Sequence, residues 1–188
     1  PDLYPSIRFV EPGNYLTPVY GTKIAMELTN LDRVSVTLHR QYDNNLPFMS
    51  LGSSNTNLAR SLNYESIDLT LDKNVKTRRS LDLAEMAKGQ KGVFVISGTG
   101  YKKVNYYNDD EDYYSYASSD SRVVVLSDIG ITSRIYPAGA TLFATSLSTG
   151  KPLPGAAVRI YSSSNQVVAE GKTDRNGLFE ESRSEDWD

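Results

Sequence analysis

Apolar side chains recur at every second residue along most of this chain, and that period admits few folds. In RVSVTLHRQY, Arg33 to Tyr42, the residues Val34, Val36 and Leu38 alternate with Ser35, Thr37, His39 and Gln41. Such alternation puts one set on each face of a half-buried antiparallel strand. ESIDLTLD repeats the pattern, with Ile67, Leu69 and Leu71 expected to face inward and Ser66, Asp68 and Thr70 outward. GVFVISG and RVVVLSD are short unbroken apolar runs rich in β-branched residues, as central strands buried on both faces require. A helical period shows only in SLDLAEMAKGQKG, where Leu81, Leu83, Ala84 and Met86 predict one or two turns stopped by Gly89. From Asp128 onward, IGITSRIY, GATLFATSL, GAAVRIYS, QVVAEGKT and GLFEE predict five short strands at the spacing of a sandwich or barrel. The expected fold class is all-β: two tandem antiparallel β-sandwich domains of the fibronectin or immunoglobulin-like kind.

A weak internal repeat supports two units of one kind. GTKIAMELTNL followed by DRVSVTLHR is similar to GATLFATSL followed, after a Gly/Pro loop, by AAVRIYSS. The offsets are 118 (139 minus 21) and 122 (158 minus 36), so one longer loop reconciles the two halves. The expected domains are 1–127 and 128–188, meeting at Ser127 to Gly130. A seven-stranded sandwich takes ~100 residues, so the shorter second domain is expected to be truncated, with one or two strands missing. Its tail EESRSEDWD is expected to be irregular.

Composition narrows the function classes. Hydrophobic residues at 39% and charged residues at 23% fit a globular chain rather than a disordered one. The net charge of -3, without a basic run, leaves nucleic acid no electrostatic footprint. The longest apolar runs, Val93 to Ile96 and Val123 to Leu126, fall short of the ~20 residues of a bilayer span, so no transmembrane segment is expected. PDLYPSIRF lacks the basic and apolar regions of a signal peptide, which implies a cytosolic protein or an excised piece of a longer one. Zero cysteines exclude a disulfide framework, a thiol nucleophile and a thiolate metal site.

No catalytic, cofactor-binding or metal-binding residue is expected. His39, the one imidazole, sits on the polar side of its strand beside Arg40, where surface exposure outweighs any catalytic role. SGTGYK has Gly98 and Gly100 but Lys103 where a dinucleotide loop needs its third glycine, so it reads as a strand-end turn. Asn105 to Asp120 carries four consecutive acids, Asp109 to Asp112, flanked by Tyr106, Tyr107, Tyr113, Tyr114 and Tyr116. Adjacent carboxylates on an extended chain alternate sides and repel, so this reads as a solvated loop whose tyrosines suit a contact with a partner. TDRNG echoes the start of a calcium loop without its closing Glu, and Asn176-Gly177 predicts a hairpin between VVAEGKT and LFEE instead. STGKPLPG, Ser148 to Gly155, reads as a loop that its prolines keep out of the ladder.

RVVVLSDIGITSRIYPAGATLFATSLSTGKPLPGAAVRIYSSSNQVVAEGKTDRNGLFE, Arg122 to Glu180, resembles the junction of two consecutive macroglobulin-like domains in the N-terminal part of bacterial alpha-2-macroglobulin family proteins. There a strand ending in VVVxSDxGI leads into SLxTGKPxxGAxVxIY and an Asp-x-x-Gly turn, here Asp174 to Gly177. Residues 1–121, with PSIRFVEPGNYL and NLDRVSVTLHRQYDNNLPF, are similar to the preceding domain more loosely. The resemblance implies no enzyme and no cofactor, but scaffold domains of a large, extracytoplasmic, often lipid-anchored broad-range protease trap. Its partners would be neighbouring macroglobulin-like domains of the same chain and, through the full-length protein, target proteases. The thioester found in many members needs a Cys, which this chain lacks. Similar Asp-x-x-Gly turns in carboxypeptidase regulatory-like and transthyretin-like domains leave an alternative: an extracellular adhesin or carbohydrate-binding module with the Tyr-rich segment 105–116 as its platform.

Overall fold

A computed structural model describes residues 1–10, 13–48, 56–57, 59–104 and 113–183. The chain separates into two compact units, Pro1–Leu16 with Tyr20–Leu126, and Thr17–Val19 with Ser127–Asp188. The first unit holds β1 (Ser6–Phe9), β2 (Tyr15–Leu16), β3 (Lys23–Thr29), β4 (Arg33–Gln41), β5 (Ala59–Asp68), β6 (Thr77–Asp82), β7 (Gly92–Val104) and β8 (Tyr113–Leu126). A three-stranded sheet, ordered β1-β3-β6, faces a five-stranded one, ordered β2-β8-β7-β4-β5. Every pairing is antiparallel except the two-residue contact of β2 with β8.

The alternating pattern builds the layer between these sheets. Val34, Val36 and Leu38 of β4 are fully buried together with Ile24, Met26 and Leu28 of β3 and Phe94 and Ile96 of β7. Ile67 packs against this core from β5, but the strand ends at Asp68, and Leu69 and Leu71 reach the core from outside the ladder. The helical turn α1 is Leu83–Met86, capped by the Asp82 carboxylate on the amides of Ala84 and Glu85, with Gly89 at φ +74 beyond it. Leu81, expected in that helix, lies instead in β6 opposite Ile24. Its pairing with β3 overrides a local helical period. A 3-10 turn over Asp43–Phe48 follows β4.

The strands β7 and β8 also run further than their apolar cores suggest. Gly98 and Gly100 belong to the middle of β7 rather than to a strand-end turn, opposite Val36 and Val34 of β4. A Cβ on Gly98 would stand 2.5 Å from Ile7 Cδ1, and one on Gly100 would stand 2.6 Å from Leu31 Cδ1. Both glycines are therefore packing positions, where the lack of a side chain lets β1 and Leu31 approach the sheet. The edge of β1 is closed by side chains of β8: Ile7 N donates to Ser118 Oγ (2.9 Å) and Phe9 N to Asp120 Oδ2 (2.7 Å). Capping these amides removes a free edge that would invite another strand.

The second unit holds β9 (Ile129–Tyr136), β10 (Gly139–Ser146), β11 (Ala157–Tyr161), β12 (Val167–Lys172) and β13 (Leu178–Ser182). β10 lies between β9 and β13, and β11 pairs only with β12. The start of the expected irregular tail, Glu180 to Ser182, is thus strand, because Glu181 and Ser182 pair with Ala140 and Gly139; residues 184–188 lie outside the described residues. Among the described residues, the buried apolar side chains are Ala140, Ala144, Val158 and Ala169, all small, and the larger ring of Phe179.

Gly100→Val should destabilise the first unit by about 1 to 3 kcal/mol, because the added side chain overlaps the buried Leu31 and forces it out of its place in the core. Thermal unfolding followed by circular dichroism checks this, and an unchanged midpoint would contradict the close packing.

Candidate functional site

His39 faces Val95 across β4 and β7 and is half-buried rather than surface-exposed. Its Nδ1 is buried without a hydrogen-bond partner, and burial holds its pKa below the ordinary histidine value. The neighbouring pairs on its strand are Leu38 with Ile96 and Arg40 with Phe94, so neither brings it a carboxylate or a nucleophile. Among the described residues, no three His, Cys, Asp or Glu side chains gather in a way that could hold a metal ion.

Of the Tyr-rich segment, residues 105–112, with Tyr106, Tyr107 and Asp109 to Asp112, lie outside the described residues. Tyr113, Tyr114 and Tyr116, expected in a loop, belong to β8, which pairs with β7 as far as Val104 opposite Tyr113. The hairpin is longer than its apolar part because Ser and Tyr serve equally well on the solvent side of a strand. On the outer face of this sheet, Asp68, Arg33, Tyr101 and Tyr116 form one cross-strand row. The Arg33 guanidinium lies 3.7 Å from the Tyr114 ring centroid, and its Nε is 2.6 Å from Asp68 Oδ1.

A dense polar network lies in the second unit. Asp128 Oδ2 accepts from Ser146 Oγ (2.8 Å), and Oδ1 accepts from the Ser148 amide (2.9 Å) and the Ser148 hydroxyl. The Leu147 amide adds a bond to the Asp128 carbonyl (2.8 Å). The buried Thr173 hydroxyl accepts from the Ala156 amide (2.9 Å) and donates to the Leu153 carbonyl (2.5 Å), fixing the Gly/Pro loop from its far side. That loop does join the ladder. Pro152 bridges Thr145, with Ser146 N donating to Lys151 O and Leu153 N to Ala144 O, so the flanking residues supply the donors proline lacks.

Asp174 to Gly177 makes a corner, not a hairpin, because β12 belongs to the sheet with β11 and β13 to the sheet with β10. Gly177 N donates to Asp174 O (3.0 Å), the bond of a turn with Asp first and Gly fourth. Asp174 Oδ1 accepts from the amides of Asn176 (2.7 Å) and Leu178 (2.9 Å). These backbone bonds, that from Leu178 foremost, hold its carboxyl below the usual aspartate range. Gly177 has φ +75, and a Cβ there would stand 2.5 Å from Ala144 O.

Asp82 is likewise engaged, by Thr22 Oγ1 at 2.8 Å, which with the two α1 amides lowers its pKa. The open groove of about 460 Å³ beside it, with Tyr15, Tyr20 and Lys23, therefore presents a carboxylate committed to structure. No described helix is long and apolar enough to cross a membrane.

Among the described residues, both units are β-sheets whose polar side chains close turns and strand edges. Residues 126–186 match the family model described as the bacterial alpha-2-macroglobulin MG3 domain. The chain is 22% identical over 202 residues to alpha-2-macroglobulin of Pasteurella multocida (strain Pm70), covering 95% of this chain and 11% of that protein. It thus spans about a tenth of that relative's length. Native alpha-2-macroglobulin from Escherichia coli spanning domains NIE-MG1 has the same fold, with a TM-score of 0.66 at 20% identity, covering 98% of this chain and 89% of that one. The trypsin-activated Escherichia coli protein gives 0.68 at 21% identity, covering 96% of this chain and 13% of that one. The chain is therefore an all-β, macroglobulin-like β-sandwich protein similar to bacterial alpha-2-macroglobulin, as its motifs indicate.

Gly177→Val should cost on the order of 1 to 2 kcal/mol for its backbone alone, with the crowding against Ala144 added. An unchanged melting temperature would sink this. Because the Asp174 pKa is depressed in the folded state, its contribution is present above the ordinary aspartate pKa and lost as pH falls through the lowered value. Asp174→Asn should therefore flatten the acid limb of the stability profile, and two superimposable profiles would contradict it.

Proposed function

We propose that this chain supplies scaffold domains, residues 1–127 and 128–188, to a large bacterial alpha-2-macroglobulin-type protease inhibitor of the cell envelope. The observation that carries the reading is the fate of the turn residues within 126–186, the segment that matches the family model. Asp128, Ser146, Ser148, Thr173, Asp174 and Gly177 are spent on internal hydrogen bonds and close approaches, which suits architecture rather than chemistry. In this reading the chain is not an enzyme, holds no cofactor and contacts neighbouring macroglobulin-like domains. Target proteases meet it only through the full-length protein, on the periplasmic or outer side of the envelope with lipid anchoring through the parent.

We also propose that the second domain is completed by two further strands of the parent. In the first unit, Ile7 and Phe9 of β1 are 2% and 7% exposed beneath β7 and β8. In the second, β9 holds the equivalent place beside its central strand, yet Ile131 and Ile135 are 63% and 75% exposed. Counterparts of β7 and β8 would cover them.

The full-length parent should suppress digestion of a protein substrate by two proteases of different specificity, while residues 1–188 alone suppress neither. Inhibition by the isolated chain, or none by the parent, overturns the scaffold reading. Extending the chain past residue 188 with the parent's own sequence should slow amide hydrogen exchange in β9, and unaltered exchange would remove the case for two more strands.

A further inference from the structure

The outer face of the β8-β7-β4-β5 sheet has the composition of a recognition surface. Three cross-strand rows lie side by side: Asp68, Arg33, Tyr101 and Tyr116; Ser66, Ser35, Thr99 and Ser119; and Tyr64, Thr37, Ser97 and Ser121, all at least partly exposed except the buried Ser35. Tyr64 and Tyr116 are 62% and 63% exposed. Tyrosines are large, stiff and amphipathic, and serine hydroxyls adapt to whatever donors and acceptors face them, the pairing that antibody binding loops exploit. Arginine and tyrosine also dominate the energetic centres of protein interfaces. Here the two meet, with Arg33 stacked on Tyr114 and fixed by Asp68, so the centre is pre-ordered before any partner arrives.

We propose that this face is the docking surface for another domain of the parent chain, lying outside residues 1–188. This rests on the reading of the protein as part of a longer, multidomain one. Size and charge favour that occupant. Four strands about 4.8 Å apart, over some seven residues at about 3.4 Å each, present about 400 Å². Doubled for the partner, that matches the interfaces of about 600 to 1,500 Å² between domains of one chain and falls short of the roughly 1,600 Å² of a stable complex between separate molecules. A tethered domain needs less area because the linker supplies its effective concentration. Arg33 pairs with Asp68 in one row and the other two rows carry no charged side chain, so the three rows have no net charge, which suits a polar, uncharged protein surface rather than a polyanion.

Tyrosine nitration of the parent and of the isolated chain tests this, followed at Tyr64 and Tyr116 by peptide mass spectrometry. Both should react at least about tenfold more slowly in the parent, as the centre of an interface is desolvated. Ser119→Arg should restore their reactivity in the parent while leaving the melting temperature of the isolated chain unchanged. Equal rates in a multidomain parent overturn the inference and leave the scaffold reading standing, whereas a parent with no further domain sinks both. Two other results also overturn it: glycan-array binding by the isolated chain that Tyr116→Ala abolishes, or dimerisation of that chain that Ser119→Arg abolishes.

Discussion

The first unit depends on one close approach, that of β1 and Leu31 to the middle of β7 at Gly98 and Gly100. Two sheets can share a core only if the side chains between them fit one gap, and here bulk is divided unequally. Ile7, Phe9 and Leu31 fill the space that side chains on the two glycines would have occupied. That placement brings the free amides of β1 to Ser118 and Asp120 of β8, so one contact both buries the apolar side of β1 and satisfies its edge. A side chain on either glycine would disturb both.

The second unit solves the same problem with different means. Its buried apolar set is mostly alanine and valine, with a single aromatic ring, Phe179, set against Gly171. Such a core returns little per residue against the conformational entropy of ordering the chain. The hydrogen bonds of Asp128, Thr173 and Asp174 compensate by fixing turns rather than by filling volume. Side chains that close on backbone amides pay part of the turn's ordering cost locally, so the strands need not do all of it through packing. This explains why polar turn residues stand out in the segment that resembles the family: they hold the turns by hydrogen bonds to backbone amides.

Legibility in the sequence followed the same division. Strands with one wet face, such as β4, and the five short strands after Asp128 were readable because alternation and turn residues are local signals. β6 was not, since Thr77 to Asp82 alternates poorly and only its pairing with β3 makes it a strand. Gly98 and Gly100 were taken for punctuation because the partners that need their missing side chains, Ile7 and Leu31, lie far away along the chain. The network around Asp128 joins residues up to 20 positions apart, so its members could be recognised as a motif but not assigned a role without the turn geometry. The Asn176-Gly177 signal was correct about a turn and wrong about the hairpin, because a turn's residues do not say which sheet receives the next strand.

The contrast between the units also bears on where function can reside. A large buried core lets the first unit commit its outer sheet face, rich in Tyr and Ser, to something other than its own stability. The second unit has no such surplus: its polar side chains are engaged in staples and Ile131 and Ile135 stand bare. Substitutions should therefore divide by unit. Changes on the outer face of the five-stranded sheet should leave folding intact, and changes at the polar turns of the second unit should act on folding itself.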